Sequence, residues 1–304
     1  MQSILKLIRW KNLIMIALVQ LLIKYALFEP FGVTITLNGI GISVLILATL
    51  CLAAAGNIIN DIYDVETDLV NKPERVIVGK TISEKTAYNL FFALNIIGVG
   101  LGFYLSHVVG KSPFFTLFVI ISALLYIYAS YLKQLPFIGN IVISALVALS
   151  LIIVSIFDLL PAITPSNKEA QLTFFKIVLD YALFAFIINL IREMVKDMED
   201  IDGDYKAQMN TLPIAIGRDR ANKIIFILSL IPIVAVIFYI TNFLYKQEIA
   251  VAYFLILVVA PLIYISIKLF SAKTKKEYSH ISIILKLVML FGMLSMLLYP
   301  LILK

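Results

Sequence analysis

The residues best suited to chemistry in this chain are acidic and fall in two groups. The first is Asn57-Ile-Ile-Asn60-Asp61-Ile-Tyr63-Asp64-Val-Glu66-Thr-Asp68, at the end of a long apolar run from Leu37 to Gly56. Read as a continuing helix, Asn60, Asp64 and Asp68 are four residues apart. Successive members then lie about 40° apart around the axis and about 6 Å apart along it, on one face. Asn57 and Asp61 lie close to that face. Such an oxygen-rich face suits a hard divalent cation, and Mg²⁺ usually completes its shell with water and substrate phosphate.

The second group is Arg192-Glu193-Met-Val-Lys196-Asp197-Met-Glu199-Asp200-Ile-Asp202-Gly203-Asp204. If it is helical throughout, Asp197, Asp200 and Asp204 share a face at i, i+3 and i+7; if Gly203 ends the helix, Asp204 becomes a loop ligand. A solvated helix end would explain one such cluster. Two like-charged clusters in an apolar chain are tolerable chiefly when cations lie between them, so the two are expected to face each other across one cavity. Basic residues accompany them. Lys133 lies in the turn Tyr126-Ile-Tyr128-Ala-Ser130-Tyr131-Leu-Lys133-Gln-Leu-Pro136-Phe-Ile-Gly139-Asn140, and Arg9, Trp10 and Asn12 stand before the first apolar run. Each base is either a phosphate partner or a membrane-surface anchor, and position alone leaves both open.

The elements that must position these groups are membrane-spanning helices. Of 304 residues, 62% are hydrophobic and 14% charged, with a mean hydropathy of +1.00; soluble domains are about half apolar and a quarter charged. Nine segments approach the roughly 20 apolar residues a span needs: 13–28, 38–60, 86–107, 113–131, 137–157, 172–195, 222–243, 249–270 and 281–303. The expected fold is a single all-α membrane domain over residues 1–304, its helices around a central cavity. Lys24 interrupts the first segment and is expected to snorkel to an interface. That segment lacks a small-residue cleavage site and reads as a retained helix. With the N-terminus inside, 19 of the 25 Lys and Arg residues fall on the cytoplasmic side, which puts both acidic clusters there. The net charge of +6 is spread over short loops, so it points to anionic head groups or substrates and not to nucleic acid. Cys51 reads as a core residue, and His107 and His280 as interfacial. Two apolar helices that end in aspartates and lead into proline-bearing loops, Asn71–Arg75 and Asn210–Pro213, suggest an internal duplication.

In this combination the chain resembles the UbiA superfamily of intramembrane prenyltransferases over nearly its whole length. Asn60, Asp64 and Asp68 stand where that family has N-x-x-x-D-x-x-x-D, and Asp197, Asp200 and Asp204 match its second aspartate-rich motif. Tyr128 to Lys133 is similar to its Y-S-x-x-L-K element, with Ala129 in place of serine. Lys72-Pro-Glu-Arg75 is similar to its N-[KR]-P-x-R-P segment, with Val76 in place of the second proline. Arg192 to Asp204, with Thr211-Leu-Pro213, looks most like the digeranylgeranylglyceryl phosphate synthase branch.

The resemblance implies Mg²⁺-dependent transfer of a prenyl group, geranylgeranyl in that branch, from its diphosphate to a lipophilic acceptor such as geranylgeranylglyceryl phosphate. It implies metal ligands at Asn60, Asp64, Asp68, Asp197, Asp200 and Asp204, with Asp64, Asp68, Asp200 and Asp204 catalytic. Substrate contacts are expected from Arg9, Asn57, Arg75, Tyr128, Lys133, Arg192 and Lys196. Tyr63, Tyr126 and Tyr128 are candidates to shield an allylic cation, and either a carboxylate or a diphosphate oxygen can take the acceptor's proton. Two rival readings are an aromatic acceptor (4-hydroxybenzoate, homogentisate or a chlorophyll-type ring) and an ion-coupled transporter. Transporter sites lie near the midplane on broken helices, whereas these carboxylates crowd at helix ends.

Overall fold

The computed structural model describes residues 2–302. Residue 303 of the ninth expected segment and Lys304 lie outside the described residues. Among the described residues nine helices are long and apolar enough to cross a membrane: α1 Trp10–Phe31, α2 Gly39–Tyr63, α3 Glu84–Val108, α4 Ser112–Ser130, α5 Ile138–Ala162, α6 Lys168–Lys206, α7 Arg218–Leu244, α8 Glu248–Ser271 and α9 Lys275–Leu298. Local polar chemistry sets several helix starts. Asn38 caps α2 by accepting from Gly41 N at 2.8 Å, Ser83 caps α3 through Thr86 N, and Thr274 with Glu277 forms a capping box on α9. Each cap satisfies N–H groups that the first helical turn leaves without partners.

Nine crossings put the N-terminal segment and the α2–α3, α4–α5, α6–α7 and α8–α9 connections at one end of the bundle, and contacts tie them together there. Asn210 N donates to Gln134 O at 2.9 Å, Lys275 Nζ donates to Asn71 O at 2.5 Å, and Lys72 pairs with Asp200 at 2.7 Å. The apolar core is in parts. One cluster joins α1, α2, α5 and the first half of α6 through residues such as Leu27, Leu45, Val154 and Phe157. A second joins the later half of α6 to α7, α8 and α9 through Ile191, Ile225, Leu262 and Leu285.

The backbone differs at the two acidic stretches. α2 breaks at Asp64 (φ −93°, ψ 0°), and the short helix Val65–Asn71 follows. The four-residue hydrogen-bond spacing nevertheless survives, because Asp64 N donates to Asn60 O at 2.9 Å and Asp68 N to Asp64 O at 2.8 Å. α6 does not end at Gly203; it runs on to Lys206, so Asp204 is a helical residue. Gly203 serves close packing instead. A Cβ there would lie 2.2 Å from Asn71 Nδ2 and 2.7 Å from the Thr67 carbonyl oxygen.

Lys24 does not snorkel. It is 1% exposed, and its ammonium reaches Asp158 at 3.2 Å and the Leu37 carbonyl at 2.5 Å. Asp158, fully buried, also accepts from Leu37 N at 2.7 Å. The expected fifth segment stops one residue short of Asp158, which hid the partner that lets a lysine stay inside. Removing one member of such a pair strands the other charge, at a cost of about 3–5 kcal/mol. Lys24→Met should therefore lower the thermal unfolding midpoint in detergent sharply. Lys24→Met combined with Asp158→Asn should recover much of the loss, and purely additive losses would contradict the pairing.

Candidate functional site

A cavity of about 860 Å³ opens at the end of the bundle where the acidic stretches meet. Its lining comes from α1, α2, α4, α5 and α6 and from the loops beside them, while α7 to α9 pack outside. All the residues expected to bind metal or substrate line it: Asn60, Asp64, Asp68, Asp197, Asp200, Asp204, Arg9, Asn57, Arg75, Tyr128, Lys133, Arg192 and Lys196. The two carboxylate faces thus share one cavity. Its deeper part is apolar, with Ile16, Leu52, Phe118, Ile121, Leu146 and Ile153 among the lining residues.

The two faces are held together by polar contacts between the short helix and α6. The Asn71 amide donates to Asp200 O at 2.8 Å and accepts from Gly203 N at 3.0 Å. Lys72 Nζ reaches Asp200 Oδ2 at 2.7 Å and Glu199 at 3.3 Å. The absence of a side chain at Gly203 allows this approach. On the other flank, Lys133 pairs with Asp64 and lies 3.5 Å from Asn60 Oδ1, while Asn60 Nδ2 donates to Asp64 Oδ2 at 2.5 Å. Asn140 donates to Asp197 at 2.9 Å, and Thr211 donates to Asp204 at 3.4 Å. Arg9, in a left-handed backbone conformation (φ 52°), pairs with Asp61 at 2.7 Å.

These contacts shift the groups outside the spanning helices. Burial, followed by the neighbouring Asp64 and Asp61 charges, pushes the Asp68 carboxyl up to about 6. Burial works against the charged form of Lys72, but the Asp200 and Glu199 partners outweigh it and hold Lys72 above the usual lysine value. Burial likewise opposes the Arg9 charge, and Asp61 with other nearby carboxylates raises its pKa further.

Among the described residues no three His, Cys, Asp or Glu side chains converge to hold a metal alone. The donor set nonetheless fits Mg²⁺, which takes one or two carboxylates and fills its shell with water and phosphate oxygens. The available donors are all oxygen, and Asp200 Oδ1 is buried with no hydrogen-bond partner.

Two of the three tyrosines expected to shield a cation do not reach the cavity. Tyr63 and Tyr126 are 39% and 43% exposed and face each other, their hydroxyls 3.3 Å apart. Tyr126 and Tyr128 are two residues apart, about 200° around a helix, so only Tyr128 lines the cavity. Arg75 stands at the exposed rim, 3.7 Å from Glu74. Asn140, Asn189 and Glu193 also line the cavity and are not among the expected site residues. The two asparagines are polar interruptions in apolar helices, a readable signal. They join through Ser144, which donates to Asn140 O at 2.6 Å and accepts from Asn189 at 3.2 Å. Glu193 was masked by the aspartates after it.

A model of the UbiA prenyltransferase family matches residues 26–287. A digeranylgeranylglyceryl phosphate synthase from Korarchaeum cryptofilum is 35% identical over 253 residues, 81% of each chain. Among solved structures, one of digeranylgeranylglyceryl phosphate synthase in membranes has a TM-score of 0.62 at 23% identity, covering 97% of this chain and 98% of the other. A UbiA homologue from Archaeoglobus fulgidus bound to GPP and Mg²⁺ has a TM-score of 0.55 at 18% identity, covering 97% and 99%.

The Asp68 shift has a testable sign. Its carboxyl takes a proton as pH falls through about 6, and a proton competes with a cation for the same oxygens. The Mg²⁺ concentration for half-maximal activity should rise by up to about tenfold per pH unit below that value if one proton is displaced. Excess Mg²⁺ should move the acid limb to lower pH. An acid limb indifferent to Mg²⁺ would exclude this competition.

Proposed function

The chain belongs to the UbiA prenyltransferase family, and from that premise we propose that it transfers a geranylgeranyl group from its diphosphate to the free hydroxyl of geranylgeranylglyceryl phosphate. The carrying observation is one cavity with two facing carboxylate clusters at its polar end and an apolar interior. A prenyl diphosphate has the same division, an anionic head on a long apolar tail. The similarity to the Korarchaeum synthase supports the glycerol-lipid acceptor.

In this reading Asn60, Asp64, Asp68, Asp197, Asp200 and Asp204 hold Mg²⁺ and with it the donor's diphosphate. When bound, the cation supplies Lewis-acid stabilisation of the charge that grows on the leaving group. Lys133 and Lys72, now on Asp64 and Asp200, are placed to turn toward diphosphate oxygens and add to that stabilisation. The C1–O bond to diphosphate breaks, and a new ether bond forms between C1 and the acceptor oxygen. The hydroxyl proton passes to a carboxylate or to the departing diphosphate. Tyr128 faces the same space and can shield positive charge on the allylic carbons. The enclosing helices keep water from that cation and hold the acceptor near it. The bias of lysine and arginine toward this end supports a site open to the cytoplasm.

The test uses purified protein, Mg²⁺ and labelled geranylgeranyl diphosphate with equal geranylgeranylglyceryl phosphate and 4-hydroxybenzoate. Label should appear in the diether phosphate. Label only in the aromatic product would overturn the acceptor while leaving prenyl transfer in place.

A further inference from the structure

The cavity is electrically divided. Around its metal-binding half stand Asp64, Asp68, Asp197, Asp200 and Asp204, against Lys72 and Lys133. This half repels an anion unless cations are added. The other polar part is built differently. Arg192 and Lys196, four residues apart on α6, both bind Glu193 between them: Arg192 Nη1 lies 3.0 Å from Glu193 Oε1, and Lys196 Nζ lies 3.1 Å from both carboxylate oxygens. Arg9 stands within electrostatic reach of Glu193. Lys286 of α9 approaches through Asn12, a lining residue, to which it donates at 2.6 Å. Arg9, Arg192 and Lys196 thus stand together around Asp61 and Glu193, with Asp64 and Asp197 of the metal-binding half within electrostatic reach. Arg192 Nε is buried with no partner, so its guanidinium has donor capacity that the fold does not use.

We infer that Arg9, Arg192 and Lys196 form a second anion site, independent of any divalent cation, that takes the phosphate monoester of the acceptor lipid. Glu193 is its positioning residue. Two cations a helical turn apart repel each other. A carboxylate between them holds both side chains against α6, directed into the cavity, without cancelling their combined charge. A guanidinium offers two parallel donors to a phosphate, and an ammonium adds a point charge. The arrangement gives two phosphate-bearing substrates separate places: the donor's diphosphate through Mg²⁺ on the aspartates, and the acceptor's monoester on fixed cations. This assignment rests on the acceptor reading above and extends it.

The experiment uses the full chain in nanodiscs with EDTA present. Binding of geranylgeranylglyceryl phosphate, of its phosphate-free analogue geranylgeranylglycerol, and of inorganic phosphate as competitor is compared for wild type and variants. Wild type should bind the phosphorylated lipid in EDTA at least tenfold more tightly than the phosphate-free lipid. Arg192→Gln with Lys196→Gln should remove that preference and raise the acceptor KM, with the donor KM little changed. Lys196→Gln alone, a milder change should the double variant not fold, should reduce the preference several-fold. Glu193→Gln should weaken it several-fold, with binding of the phosphate-free lipid little changed. Asp64→Asn with Asp200→Asn should keep it and lose Mg²⁺-dependent donor binding. A preference that requires Mg²⁺, or one unchanged in the Arg192 and Lys196 variants, overturns the inference. If the preference follows Arg192 and Lys196 but no transfer to this lipid occurs, the anion site stands and the acceptor reading falls.

Discussion

Everything at the working end of this molecule answers to one constraint: carboxylates on two helices face each other where little water can screen them. Two unit charges 4 Å apart interact by about 1 kcal/mol in water and by about 4 kcal/mol at an effective dielectric constant of 20. Repulsion on that scale is relieved when a carboxyl takes a proton, as Asp68 does near pH 6, or when positive charge comes between the two faces. Lys133 on Asp64 and Lys72 on Asp200 supply some of it. Asn140 on Asp197 and Thr211 on Asp204 supply hydrogen bonds instead. The remaining deficit of positive charge is what a hard cation would fill in the proposed function.

Bringing the faces together is a backbone matter. α2 breaks at Asp64, so the short helix Val65–Asn71 can lean toward α6, and the missing side chain at Gly203 lets it touch. The Asn71 amide then bonds α6 through Asp200 O and Gly203 N. Away from the carboxylates, the Lys24–Asp158 pair fastens α1 and the α1–α2 loop to α5. The helices that line the cavity are therefore tied by buried polar contacts both beside the carboxylates and at Asp158. α7, α8 and much of α9 pack against the later half of α6.

Much of this was legible in the sequence because the membrane simplifies the code. A bilayer demands long apolar helices, so their number and approximate limits follow from hydropathy, and the aspartate spacings show through as the few charges the apolar runs permit. What the sequence hid depends on partners distant in the chain. Lys24 looked like a snorkelling residue because its mate is 134 positions away. Gly203 looked like a helix terminator because its tight neighbours, Asn71 and Thr67, belong to another helix. Tyr63 and Tyr126 were close to the motifs in sequence yet point outward, a matter of angular position that one residue decides. Glu193 was overlooked among acids, although its role with Arg192 and Lys196 differs from theirs.

In the proposed function both aspartate clusters serve one Mg²⁺-diphosphate site. Its most direct test is a structure of the full chain with Mn²⁺ and a non-reactive thiodiphosphate analogue of geranylgeranyl diphosphate, the ions located by anomalous scattering. Mn²⁺ should lie between Asp64 or Asp68 on one side and Asp200 or Asp204 on the other, bridged by diphosphate oxygens, with the tail among Leu52, Phe118 and Ile153. Ions bound to one cluster alone, or diphosphate seated on Arg192 and Lys196 with no metal beside it, would contradict a shared site.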